Sequence, residues 1–316
     1  MTSDKQIKHL KALFEKRASW TSNIIEKGLS TRLGIMEESI TDYNLLSIQQ
    51  NGSGFIMTKK FSRREEGSIS GADWLWLIGE PGSWIPIIIQ AKVINPKTLK
   101  CNQINYKGGD QNKKLISYSR KNKLLPYYCL YSYIPKDFPT YYFGAPMHHK
   151  NRASIWGCSL QTPKQIKSKI KRDELKAPGL LRGGFPWSYM FEQTSNTLQL
   201  GKLVSERLAK LRNDIDTIEN FMEKPNTLKS SRVDWHNPNP IDLVVEEVPS
   251  FFENLLKERY RSKKSPVTNI GIISSVPISE IDNKSIKQLN ENHEYIENWT
   301  KSIDKSELNR WNKLKN

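Results

Sequence analysis

Apolar and polar positions along this chain change period several times, and each change marks an element. Over residues 4–28, Leu10, Leu13, Phe14, Trp20, Ile24 and Ile25 recur near the helical period with Lys and Glu between them, which predicts a packing helix. Residues 32–48 repeat the pattern through Leu33, Ile35, Met36, Ile40, Leu45, Leu46 and Ile48, a second amphipathic helix that carries Glu37 and Glu38. The stretch 49–58 reads as a turn entering a strand. Two β-rich runs follow, 71–78 and 84–93, joined by the turn signal Gly79-Glu80-Pro81-Gly82-Ser83, and together they predict a hairpin.

Further on, 110–121 predicts a helix, 124–134 an aromatic and apolar strand, 153–160 another strand and 161–176 a basic helix. The glycine- and proline-rich segment 177–187 holds Arg182, Phe185 and Trp187. Such a loop either stacks on a nucleic acid or covers an apolar face of the sheet, and cover is the simpler expectation. Leu203, Leu208, Leu211, Ile215, Ile218 and Phe221 mark a long helix over 198–224. Beyond it come a proline-containing linker (225–240), a helix over 248–261, a short strand over 267–274 and a polar helical tail. The expected architecture is α/β, a mixed central sheet flanked by helices over residues 1–195, with a mostly helical C-terminal extension over 196–316.

Charges inside the hairpin alter this picture. Asp73 opens the first strand, and Gln90 and Lys92 stand two apart on the second, so they share one face while Ala91 takes the other. A lysine that closes the apolar run 86–89 needs a partner or a task. Glu37 and Glu38, ~100° apart on their helix, cannot both face it. Glu65 and Glu66 lie a few residues ahead of Asp73 and are further candidates to join it.

Gly71-Ala72-Asp73 followed by Gln90-Ala91-Lys92 resembles the signature of the restriction-endonuclease-like, or PD-(D/E)XK, nuclease superfamily in its Mrr-type branch. The order Glu-Glu-x-x-Thr-Asp (37–42), Gly-Ala-Asp-Trp and Gln-Ala-Lys also resembles an uncharacterised bacterial family of that superfamily found among phage-defence genes. The likeness covers roughly residues 30–160. It implies a restriction-endonuclease-like core, with Asp73, Gln90, Lys92 and Glu37 or Glu38 as catalytic residues. A Mg²⁺ or Mn²⁺ ion would be held by Asp73, Gln90, Glu38 and Glu66, with a role in bacterial defence against foreign DNA. Such chemistry suits these residue types, because a hard divalent cation needs only one or two carboxylates beside carbonyl, water and phosphate oxygens. Gln90 departs from the acid that many relatives carry there, and supplies an amide oxygen without charge.

Composition narrows the partners. Forty-nine Lys and Arg against thirty-three Asp and Glu leave a formal charge of +16, which favours a polyanion over a neutral metabolite. Lys59, Lys60, Arg63 and Arg64 form a basic block just before the Asp73 strand, and Lys107, Lys113 and Lys114 belong to a run with a single acid. All seven are candidate phosphate contacts. Basic charge reads phosphate, so DNA is the expected partner and RNA is not excluded. The competing readings are an inert nucleic-acid-binding protein on the same fold, an RNA-directed nuclease and a basic scaffold subunit. The extension is free to serve a homo-oligomer or a partner protein. No apolar run reaches the ~18 residues of a membrane span and residues 1–5 lack a signal-peptide character, so the chain is expected to be cytoplasmic and free of membrane. Cys101, Cys129 and Cys158 are too widely separated for a zinc site or a disulfide framework, and the His148-His149 pair lacks neighbours at ligand spacing.

Overall fold

Helix α1 (Asp4–Ser30) starts on a capping box: Ser3 Oγ accepts the Gln6 amide and the Gln6 side chain accepts the amide of Ser3. Its apolar period buries Ile7, Leu10, Phe14, Ala18 and Ile25. The chain was described by a computed structural model that covers residues 3–52, 54–135, 153–192, 199–222, 235–254 and 270–271. Helix α2 (Glu37–Asn51) begins five residues later than the apolar period suggests. Residues 31–36 form a link instead, in which Arg32 takes a left-handed φ of 59°, and Leu33 and Met36 stay 66% and 61% exposed.

Strand β1 (Ile56–Lys60) leads into the short helix α3 (Arg63–Glu65) and then into β2 (Trp74–Glu80). Strand β3 (Ser83–Val93) returns antiparallel through the two-residue turn Pro81-Gly82, with Gly82 at a φ of 84° that suits glycine. Helix α4 (Asp110–Asn122) then crosses to β4 (Leu125–Tyr131), which runs parallel to β3, the connection that parallel neighbours require. Strand β5 (Cys158–Gln161), helix α5 (Pro163–Lys171), strand β6 (Phe185–Pro186), helix α6 (Leu200–Met222) and strand β7 (Ile270–Gly271) follow. The mixed sheet has the order β6-β5-β4-β3-β2-β1-β7. The fold is therefore α/β, a mixed central sheet flanked by helices.

The three central strands are buried at nearly every position, as strands covered on both faces are. Phe14 of α1 meets Trp76 and Trp187 edge-to-face at centroid distances of 5.5 and 5.0 Å, and Trp187 Nε1 donates to the Phe14 carbonyl. Leu180, Leu181, Phe185 and Trp187 are all buried, so segment 177–187 covers the core and offers no aromatic face to a nucleic acid. Helix α6 packs on β2 and β3. Glu80 Oε1 accepts the Leu200 amide and Ser83 Oγ that of Lys202, so the hairpin caps the helix. The compact unit containing the sheet runs from Met1 to Ile273, and the core thus continues past residue 195. Residues 153–157 form a 3₁₀ turn, leaving β5 shorter than expected. The adjacent histidines and the polar tail lie outside the described residues. Among the described residues, no helix is long and apolar enough to cross a membrane.

Candidate functional site

Asp73 stands one residue before β2 and is fixed by the sheet on both sides, its amide donating to Ile89 and its carbonyl accepting from Phe61. Its Oδ2 accepts the Ala91 amide at 2.7 Å and Gln90 Nε2 at 2.6 Å. Glu66 Oε1 lies 3.4 Å from the same Gln90 nitrogen and accepts Gln111 Nε2 from α4 at 3.0 Å. Beside them, Lys92 Nζ donates to Glu37 Oε1 at 3.2 Å, and the Val93 amide donates to Glu37 Oε2 at 2.8 Å. Asp73, Gln90, Lys92, Glu37 and Glu66 therefore converge. Glu38, its neighbour's rival from the sequence, does not: it turns to Arg63, which clasps its carboxylate with two nitrogens.

Local chemistry brings Glu66 into place. Ser62 caps α3 through the Glu65 amide, Glu65 returns a bond to the Ser62 amide, and a π-helical turn (Glu66–Ser70) carries the next residue under the sheet end. Gly71 closes that turn at φ 65°, and a Cβ there would lie 2.4 Å from the Gln111 carbonyl and 2.7 Å from the Leu115 amide. Only glycine admits α4 this close, and the approach sets Gln111 beside Glu66. Lys114 Nζ ties the same helix to the Gly67 carbonyl at 2.6 Å.

Three carboxylates share this space with one ammonium. Burial raises the Asp73 pKa well above its ordinary value, Glu66 and Glu37 raise it further, and Lys92 opposes them. Glu37 is also raised by burial, against the pull of Lys92 and the Val93 amide. Burial lowers the Lys92 pKa, but Glu37 and Asp73 outweigh it and keep the ammonium charged. The crowding thus penalises the ionised forms of Asp73 and Glu37, a penalty that a cation beside them would relieve. Gln90 Oε1 is buried and has no hydrogen-bond partner among the described residues, and the same holds for the hydroxyl of Tyr128, which is Gln90's register partner on β4. Gln90 Nε2 also donates to the Ala91 carbonyl at 3.2 Å, so its neighbours are all oxygens; with a cation among them the amide would reverse and add its own oxygen to those of Asp73 and Glu66. Such a set fits Mg²⁺ or Mn²⁺. Among the described residues no three His, Cys, Asp or Glu side chains are grouped to hold a metal by themselves.

A cleft of about 870 Å³ opens over the cluster, with Glu37, Glu66, Asp73, Lys92 and Gln111 in its lining. The basic block expected to meet phosphates is largely neutralised. Lys59 is buried against Glu65, Lys60 pairs with Asp42 and Arg63 with Glu38, while Arg64 remains exposed. Lys114 pairs with Asp110 and Lys113 is exposed on α4; Lys107 lies in a 3₁₀ turn and its side chain is outside the described residues. The cations on the cleft rim are others: Arg32, Lys97 and Lys100. The helical period over 32–48 conceals Arg32, and nothing in an aromatic strand marks the one hydroxyl of Tyr128. The Ser62-x-x-Glu65 capping signature was present in the sequence and would have located Glu66 on a turn.

Over residues 10–295 the chain matches a family of unknown function (DUF6615), to which it belongs. No protein of curated function matches it.

Proposed function

We propose that this protein is a metal-dependent nuclease that hydrolyses DNA phosphodiester bonds, and that it acts in the cytoplasm of a bacterium against foreign DNA. The observation that carries the reading is the convergence of Asp73, Glu66 and Lys92 in the lining of an open cleft, with Gln90 buried directly behind Asp73 and Glu66. The crossover of α4 between β3 and a parallel β4 supports it, being the connection that the PD-(D/E)XK resemblance calls for after the signature hairpin.

In this reading Asp73 and Glu66 would hold a divalent cation with their carboxylates, and Gln90 would join them with its amide oxygen once its amide is reversed. The bound ion would activate a water and screen the charge that builds on the phosphate. Lys92 keeps an ammonium at the same place, where it orients that water or neutralises a phosphate oxygen. Glu37 is a positioning residue: it fixes Lys92 from the first turn of α2 and is itself held by the Val93 amide. Hydrolysis then adds the water oxygen to phosphorus and breaks one bridging P–O bond, the departing oxygen taking up a proton.

One observation favours a second reading, an inert nucleic-acid-binding protein. The Gln90 amide nitrogen lies between Asp73 and Glu66 and holds the acids together without any cation. A cleavage assay separates the two. DNA offered both as a single strand and as a duplex should be cut with Mg²⁺ or Mn²⁺ in one form or the other, cutting should stop with EDTA, and Asp73→Ala and Lys92→Ala should each abolish it while the circular dichroism spectrum stays native. Cutting that persists in EDTA overturns the mechanism. Absence of cutting with intact binding establishes the inert reading.

A further inference from the structure

Arg32, Lys97 and Lys100 stand on the rim of the cleft, all three exposed, and among the described residues none has a carboxylate partner. That sets them apart from Lys59, Lys60, Arg63, Lys92 and Lys114, each paired with an acid. The loop that bears two of them is held by its own hydrogen bonds. Asn95 Oδ1 accepts the amides of Lys97 and Thr98, the Asn95 amide donates to the Lys100 carbonyl, and the Leu99 carbonyl accepts the Ala177 amide. A pre-set loop with free cations suits an anion that arrives from solution, since little ordering is left to be done on binding.

Next to these cations lie Leu33 and Met36, large apolar side chains lining the same cleft at 66% and 61% exposure. In nucleic acid, base faces are the broad apolar surface that such side chains meet, and in a duplex they are reached only by wedging a base step open at a cost of about a few kcal/mol, which a single strand does not impose. In an intact duplex those faces are stacked away.

We propose, on the basis of the hydrolytic reading above, that the cleft grips one nucleic-acid strand with unstacked bases, its phosphates on Arg32, Lys97 and Lys100 and its bases against Leu33 and Met36. The substrate is then a single strand, a flap or a gapped region, and the uninterrupted duplex is the poorer ligand.

Fluorescence anisotropy in EDTA tests binding without any cutting, with a labelled oligonucleotide as single-stranded DNA, as single-stranded RNA of the same sequence and as a DNA duplex. The wild-type protein should hold a single strand about 10-fold more tightly than the duplex, and a Leu33→Ser/Met36→Ser double variant should lose that preference without a change in salt dependence. Arg32→Glu, Lys97→Glu and Lys100→Glu should weaken binding to both forms, each lowering the slope of log K against log salt by about 0.7 on a single strand. All five positions are exposed, and native circular dichroism spectra of the variants exclude a folding defect. The tighter of the two single strands identifies the sugar of the substrate. Equal affinity for strand and duplex, or affinities untouched by the rim variants, overturns the proposal. Strand binding through the rim with no cutting on addition of Mg²⁺ defeats the hydrolytic reading and leaves the grip standing; cutting with rim-independent binding does the reverse.

Discussion

Glu37 and Glu38 are adjacent in sequence and share a helical turn, yet one faces a buried lysine and the other an exposed arginine. The side chains of Lys92 and Glu37 are 5% and 22% exposed, so removing the acid leaves an ammonium unpaired in a poorly solvated place. We expect Glu37→Ala to cost about 3–5 kcal/mol in urea unfolding, whereas Glu38→Ala, which breaks a solvent-exposed pair, should cost less than about 1 kcal/mol. The conservative Glu37→Gln keeps one of the two acceptor oxygens that Lys92 and the Val93 amide use, and gives up the charge. It should fold and cut DNA about 10- to 100-fold more slowly, as for outer-sphere residues that orient a reacting group. A Glu37→Gln rate equal to that of the wild type would show that Lys92 needs no charged support. The remaining polar residues of this motif are used as well, Thr41 bonding Tyr131 of β4 and Asp42 pairing with Lys60.

At the scale of elements, the approach of α4 to the turn before β2 decides whether Gln111 meets Glu66. Gly71→Ala imposes a left-handed φ on a residue with a Cβ and drives that Cβ into the backbone of α4. It should destabilise by more than about 1 kcal/mol, with a lower denaturant midpoint at unchanged slope. Midpoints that coincide would mean that α4 yields at little cost. The hairpin, α1, α4 and β4 were legible in the sequence because their apolar periods are long and their turns carry Gly and Pro. So were Asp73, Gln90 and Lys92, since strand alternation alone puts the last two on one face. What stayed hidden was tertiary. No local signal says that Leu33 and Met36, which continue a helical period, leave the helix and face solvent, or that Lys59, Lys60 and Arg63 are met by Glu65, Asp42 and Glu38 from other elements. The place of α6 against the sheet was equally invisible, because it depends on Glu80 and Ser83 capping a helix more than a hundred residues away.

Over the whole molecule, a net charge of +16 coexists with a local surplus of acid beneath the cleft, and the two make opposite demands on stability and function. Asp73, desolvated and crowded by Glu66 and Glu37, destabilises the metal-free fold as an anion, so neutralising it, unlike Glu37 which pairs with Lys92, should stabilise the fold, the trade between stability and activity that functional sites show. Asp73→Asn keeps an oxygen acceptor for the Ala91 amide while removing the charge. It should melt above the wild type in EDTA. A divalent cation that binds only the folded chain adds RT ln(1 + [L]/Kd), about 2.7 kcal/mol at a hundred times Kd, which for a domain of this size is on the order of 5 °C in melting temperature. Mg²⁺ titration followed by differential scanning fluorimetry should raise the wild-type melting temperature by that order and leave Asp73→Asn unmoved, so that the ranking of the two proteins reverses as the metal is added. Parallel shifts in both would place the cation elsewhere, and a wild type indifferent to Mg²⁺ and Mn²⁺ would leave the acid cluster without the ion that its charge calls for.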